Sequence, residues 1–219
     1  MTGRRRPLPR TQVRRLPDKQ VHDREVLDRL LDAALVGHVA VVDDDGQPFV
    51  LPVAVARDGD RLLVHGSTAS RLFRILAAGA PTCLTVTAVD GLVLARSQFE
   101  SSMHYRSAVV LGRCVVLDGP DKAAALRTLT EHLMPGRGAD AREASGKELG
   151  ATTVLAMPLD EWSLKVSDSA PDDAPEDLDR PVWAGVVPLQ RGWGAPVPAP
   201  DLRFDLPVPA YVGTWPSRG

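Results

Sequence analysis

Four Asp-Gly pairs punctuate this chain, at Asp45-Gly46, Asp58-Gly59, Asp90-Gly91 and Asp118-Gly119. Glycine takes a positive φ at little cost, and the aspartate carboxylate bonds nearby backbone amides. Such a pair between apolar runs is a strong hairpin signal. Apolar, β-branched stretches flank the first three pairs, so the chain reads as short antiparallel strands joined by tight turns. The fourth pair, followed by Pro120, reads as the start of a helix.

The expected strands are His38 to Val42, Gln47 to Val55, Arg61 to His65, Pro81 to Ala88, Leu92 to Arg96, Ser107 to Leu117, Thr152 to Leu159 and Trp162 to Val166. Gly112, inside an otherwise β-branched run, predicts a bulge or bend. Helices are expected at three main places. Asp23 to Leu35 carries Val26, Leu27, Leu30, Leu31 and Leu35 on one face, with Asp23 as N-cap and Gly37 as stop. A second opens on Arg71 and buries Leu72, Ile75 and Leu76, and a third follows Pro120 to Leu133. Ser145 and Glu148 have capping-box spacing for a further short turn. Seven or eight short strands with few helices give a barrel or a sandwich. A single helix between strands suits a barrel with a helix crossing one end.

Composition excludes several function classes. The net charge of −2 argues against a nucleic-acid partner. Cys83 and Cys114, the only cysteines, lie in apolar runs and read as buried thiols. No apolar run is long enough to span a bilayer. The basic start lacks the apolar core of a secretory signal, so the expected compartment is the cytoplasm. There is no HExxH, no CxxC, no Walker loop, no GxGxxG after a strand and no nucleophile elbow. No metal site is expected.

Three regions follow. Residues 1–20 form a basic leader, read as loosely ordered rather than as a nucleic-acid or membrane arm. Residues 21–168 form the barrel domain. Residues 169–219 are a tail holding most of the prolines, with acidic residues near its start. Trp183, Trp193 and Trp215 in that tail predict that it docks on the barrel or on a partner subunit.

Candidate site residues cluster in three places. Ser67, Thr68, Ser70 and Arg71 lie at a strand-to-helix turn. There they serve equally well as a phosphate cradle and as helix caps. His65, at the preceding strand end, reads as a general acid, a ligand contact or a histidine bonded to a backbone carbonyl. Ser101 to Ser107, with His104, Tyr105 and Arg106, reads as a polar loop able to bond a heterocycle. Glu131 and His132 read as the solvated face of their helix.

The ordered segments HVAVVDDDGQPFVLPVAV, LLVHGSTASRLFRIL, TCLTVTAVDGLVLARSQF, SMHYRSAVVLGRCVVL, ELGATTVLAMPLDEWSLKV and PVWAGVVPL together resemble the pyridoxamine 5′-phosphate oxidase-related proteins. They are most similar to the flavin-nucleotide-binding branch that includes nitroimidazole-resistance proteins. The resemblance spans about Asp23 to Pro200. It implies a mainly β fold with peripheral helices, the split β-barrel, forming a homodimer with FMN between subunits.

In that family the flavin phosphate is held by the turn that carries Ser67, Ser70 and Arg71 here. Pro52, Val53, Thr85 and Thr87 would meet the ring. Tyr105, Arg106, Ser107, Lys165 and Trp183 match further cofactor-side positions. His65 or His104 would exchange a proton with a small-molecule substrate, His104 standing where the branch often has asparagine. The implied activity is that of an FMN-dependent oxidoreductase. The alternative is a non-catalytic protein that carries or senses flavin, deazaflavin or haem.

Overall fold

The computed structural model describes residues 9–216. Helix α1 (Arg24–Ala33) starts as the sequence predicts, with the Asp23 carboxylate accepting from the Glu25 amide at 2.8 Å. Leu27, Leu30 and Leu31 are buried. The helix ends before Gly37, because Val36 and Gly37 already pair with Ala54 and Val53. They belong to strand β2 (Val36–Val42), whose partner is β3 (Pro48–Asp58).

The first two Asp-Gly pairs make the expected turns. Gly46 (φ +79°) joins β2 to β3, and Gly59 (φ +60°) joins β3 to β4 (Arg61–Ser67). Helix α2 (Arg71–Ala77) follows and buries Leu72, Phe73 and Leu76. Gly66 sits under the Phe73 ring, where an added Cβ would come within 2.2 Å of it.

The third Asp-Gly pair makes no hairpin. Strand β5 (Thr82–Leu94) runs through it for 13 residues, replacing the two shorter strands expected there. Its register with β6 (Ser102–Gly112) shifts between Val89 and Gly91, marking a bulge. The cause lies far along the chain. Strand β10 (Gly185–Pro188) pairs with β5 here, and a Cβ on Gly91 would stand 2.8 Å from the Val187 carbonyl. The glycine permits a close backbone approach instead of a turn.

Ser102 to Ser107, expected as a loop, belongs to β6. That strand is paired on both sides, with β5 and with β9 (Trp162–Ser167), and its outward residues can be polar without penalty. β6 ends at Gly112, and Arg113-Cys114 turn the chain into β7 (Val115–Leu117). The expected bend is thus a strand break. Helices α3 (Gly119–Leu133), α4 (Arg137–Asp140) and α5 (Gly146–Ala151) precede β8 (Thr152–Pro158). Gly119 (φ +54°) opens α3, and Ser145 with Glu148 makes both bonds of the capping box for α5. Glu131 and His132 are not simply solvated. The Glu131 carboxylate accepts from the Gly136 and Gly138 amides, and His132 Nε2 donates to the Ala34 carbonyl at 2.6 Å.

The sheet is antiparallel throughout, in the order β1-β9-β6-β5-β2-β3-β4-β8-β7, where β1 is Gln20–Val21 and β10 pairs with β5 off this path. Because β7 continues from β6 after two residues, the chain links the β7 end of this order to β6, two strands in from the other end. This is the split β-barrel that the sequence led one to expect. Its interior holds Val39, Val55, Leu62, Leu84, Val110 and Leu155, capped by α1 and α2. A second cluster, with Ala56, Leu63 and Val154, lies where Ala125 and Leu129 of α3 pack. Cys83 and Cys114 are free, and burial pushes the Cys114 thiol up to about 11.

Arg10 bonds Glu161, and β1 pairs with β9, so the described part of the basic leader lies along that strand. Arg4, Arg5 and Arg6 fall outside the described residues. The tail docks on its own domain. Trp215 Nε1 donates to the Pro135 carbonyl at 2.9 Å, and Tyr211 lies over Gly136. Among the described residues no helix is long and apolar enough to cross a membrane.

Candidate functional site

Side chains alternate across a strand, so register decides which polar residues meet on the outside of the barrel. Two rows form on the outer face. Pro52 of β3 pairs with His38 of β2, which pairs with Thr85 of β5. One step along β5, Thr87 pairs with Ser107 of β6, which pairs with Lys165 of β9. The Thr87 and Ser107 hydroxyls are 3.3 Å apart. Lys165 makes no side-chain hydrogen bond or ion pair among the described residues, nor does the phenol of Tyr105, two residues before Ser107. From Pro52 to Lys165 is four strand steps, or about 19 Å at the usual spacing.

The turn after β4 is held by its own backbone and one side chain. The Ser67 hydroxyl accepts from the Ala69 amide at 3.2 Å, and the Ser70 amide donates to the Ser67 carbonyl at 3.0 Å. Ser70 is the N-cap of α2, but its side chain makes no capping bond. Arg71 is ion-paired to Asp43 and lies 4.8 Å from the centre of the Phe49 ring. A wide cavity of about 730 Å³ opens here, lined by Arg71, Arg74 and Arg113 and also by Asp43, Asp44 and Asp45. The three guanidiniums and three carboxylates balance, so its formal charges sum to zero.

The remaining predicted residues lie elsewhere. His65 shares the face of β4 that carries Leu63, towards the second apolar cluster. Its Nδ1 is buried without a partner, and burial pushes its pKa below the usual histidine value. His104 Nε2 donates to the Ser169 carbonyl at 2.8 Å. Arg106 is held by both oxygens of Asp90, at 2.7 and 2.8 Å, and that carboxylate raises its pKa. Both alternate with Tyr105 and Ser107 and so turn away from the outer row. Val53 packs into the core, which leaves only its backbone for a ligand. Trp183 is exposed and lies over Gly185. The structure therefore gathers Pro52, Thr85, Thr87, Tyr105, Ser107 and Lys165 on one face. Ser67, Ser70 and Arg71 stand at one end of it, and His65, His104 and Arg106 are directed away.

Sequence reasoning missed His38. It reads as one residue of an apolar strand, yet it lines a cavity of about 380 Å³ between the end of α1, β2, β5 and the tail, which adjoins the row and shares Thr87 with it. The available signal was its phase. It is the imidazole in a strand whose alternate residues, Val39 and Val41, face the core.

The family profile described as pyridoxamine 5′-phosphate oxidase matches residues 23–166. Among solved structures, the FAD and heme binding protein from Mycobacterium smegmatis is 47% identical, with a TM-score of 0.87 over 91% of this chain and 98% of that one. The flavocytochrome Anf3 from Azotobacter vinelandii is 37% identical, with a TM-score of 0.89 over 95% of this chain and 97% of that one. A putative 5-nitroimidazole antibiotic resistance protein from Bacteroides thetaiotaomicron, 22% identical over 67% of this chain and 86% of its own, shares the fold at a TM-score of 0.57. No curated protein matches the chain at a significant level.

Proposed function

Since this chain belongs to the pyridoxamine 5′-phosphate oxidase family, we propose that it binds a flavin on the outer face of its barrel and carries haem as well. The observation that carries the flavin reading is the Thr87–Ser107–Lys165 row, two hydroxyls and an ammonium that no carboxylate among the described residues pairs with. An isoalloxazine ring presents carbonyl oxygens and ring nitrogens along one edge, and these residues match that edge. Lys165 places positive charge at a ring carbonyl, the hydroxyls of Thr87 and Ser107 fix the ring's orientation, and Tyr105 borders it. Ser67, Ser70 and Arg71 take the phosphate end.

The family resemblance implies FMN. The proposal takes FAD instead, because the 47%-identical structure is described as an FAD and heme binding protein. A bound flavin supplies one- and two-electron redox chemistry. The protein's part is to position it and to keep water from it. For that the outer face needs a cover. Val42 and Val50 are exposed on the sheet there, and a second copy of the chain would bury them and complete the cleft. The activity proposed is oxidoreduction of a small molecule. His65 and His104 turn away from the row, so the proposal gives neither a proton-transfer role.

The test is the absorption spectrum of the protein as isolated, with mass identification of the released ligand. Flavin and haem bands, with FAD as the released mass, are expected. A colourless protein whose Tm does not rise with added FAD or FMN overturns the flavin reading, since a ligand of the native state must stabilise it.

A further inference from the structure

The cavity beside α1 has the chemistry of a haem pocket. Its volume of about 380 Å³ falls in the range of roughly 300–1,000 Å³ typical of cofactor sites. Leu30, Leu35 and Val36 give it apolar walls, and Trp193 closes one side. That indole is already fixed. It meets Trp215 edge to face at 5.3 Å, and its Nε1 donates to the Pro216 carbonyl. Two side chains that line the cavity, His38 and Arg191, make no hydrogen bond or ion pair among the described residues. An apolar slot with one uncommitted imidazole and one uncommitted guanidinium suits a flat apolar macrocycle. Such a ligand needs a nitrogen donor for its iron and a cation for its carboxylates.

The other histidines are less suited. His65 is half-buried on β4, with its Nδ1 buried on the face that carries Leu63 of the second apolar cluster. His104 and His132 each commit Nε2 to a backbone carbonyl. His22 lies on the surface beside the Asp23 cap and does not line the cavity. The His132 bond instead supports the site from behind, because its acceptor, Ala34, is part of the wall.

Resting on the reading that the protein carries haem, we propose that this cavity holds it, with His38 as an axial ligand of the iron and Arg191 paired with a propionate. The tail is then part of the site, since Arg191 and Trp193 both belong to it.

The test compares the full-length wild type with His38→Ala, His38→Met and Arg191→Ala, each purified with its flavin and titrated with hemin. Soret absorbance, pyridine haemochrome and flavin absorbance are read on each sample. Retained flavin reports that a variant is folded. His38→Ala should keep flavin and lose the ligated Soret band, and added imidazole should restore it. His38→Met should shift the band by exchanging the ligand. Arg191→Ala should weaken hemin binding by about tenfold without moving the band. His104→Ala should leave the band in place. If His38→Ala and His38→Met bind hemin with the wild-type band and affinity, the assignment is wrong while the haem reading stands. If flavin-loaded wild type takes up no hemin, the haem reading fails and this assignment with it.

Discussion

Arg71 is ion-paired to Asp43 across the mouth of the β2–β3 hairpin. The same carboxylate accepts from the amides of Asp45 and Gln47, at 3.0 and 2.8 Å, and so builds the hairpin turn. One aspartate therefore shapes the turn and neutralises the arginine best placed to meet a phosphate. A flavin phosphate at Ser67 and Ser70 has to compete with Asp43 for that guanidinium.

Asp43→Asn keeps the turn's acceptor and removes the charge. Arg71 is exposed but the Asp43 carboxylate is largely covered, so the exposed-pair value of about 0.2–1 kcal/mol is a lower bound and flavin affinity should rise by roughly fivefold or more. Arg71→Ala should lower it. Fluorescence titration of the apoprotein measures both, and unchanged affinity in both variants would remove Arg71 from the phosphate site.

Lys165→Ala should weaken flavin binding by about 10- to 100-fold, as expected for a charge-assisted hydrogen bond of about 1.5–3 kcal/mol. Ser107→Ala removes a neutral bond and should cost about 1 kcal/mol. Equal, small effects from both would show that the ammonium makes no contact with the ring.

Gly66→Ala should destabilise the fold by about 1–3 kcal/mol, because the added methyl must displace Phe73 from α2. The turn carrying Ser67 and Ser70 hangs on that packing. Loss of flavin affinity should accompany the fall in Tm, and a Tm equal to wild type would contradict the close approach.

His65 makes stability depend on pH in a stated direction. Burial holds its native pKa below the ordinary value of 6.5. Below that pH the unfolded chain takes up a proton that the native state resists. Stability therefore falls as pH drops through 6.5 and levels off below the native pKa; above both, the group has no effect. His65→Gln should flatten the denaturation midpoint between about pH 7 and pH 5 relative to wild type. An unchanged slope would sink this account.

Trp215→Ala removes the bond to Pro135 and the edge-to-face contact with Trp193. It should cost about 1–3 kcal/mol of tail docking and leave the barrel folded. Limited proteolysis should then cut within residues 189–216 first. Resistance equal to wild type would mean that other contacts hold the tail.

Much of the fold was legible because its signals are local. Asp23 caps α1, Ser145 and Glu148 cap α5, and Gly46 and Gly59 turn their hairpins, each through bonds within a few residues. The site was less legible. Tyr105 and Ser107 were named from a polar segment and Lys165 from a resemblance, but spacing alone could not place them beside Thr87, since they come from different strands. Arg106 looked like a ligand contact and is committed to Asp90, 16 residues away. His38 carried no motif at all, only its outward phase in an apolar strand.

The four Asp-Gly pairs draw the boundary. The sequence by itself determined the turns at Gly46 and Gly59 and the helix start at Gly119, because a positive φ at glycine is a property of the residue and its immediate neighbours. At Asp90-Gly91 the same dipeptide lies inside a continuous strand. There β10 arrives from nearly 100 residues later and takes the space a side chain would fill. Which outward residues meet across five strands, and which cavity the tail closes, follow from register and docking. Both are relations between distant segments, and only the tertiary structure decides them.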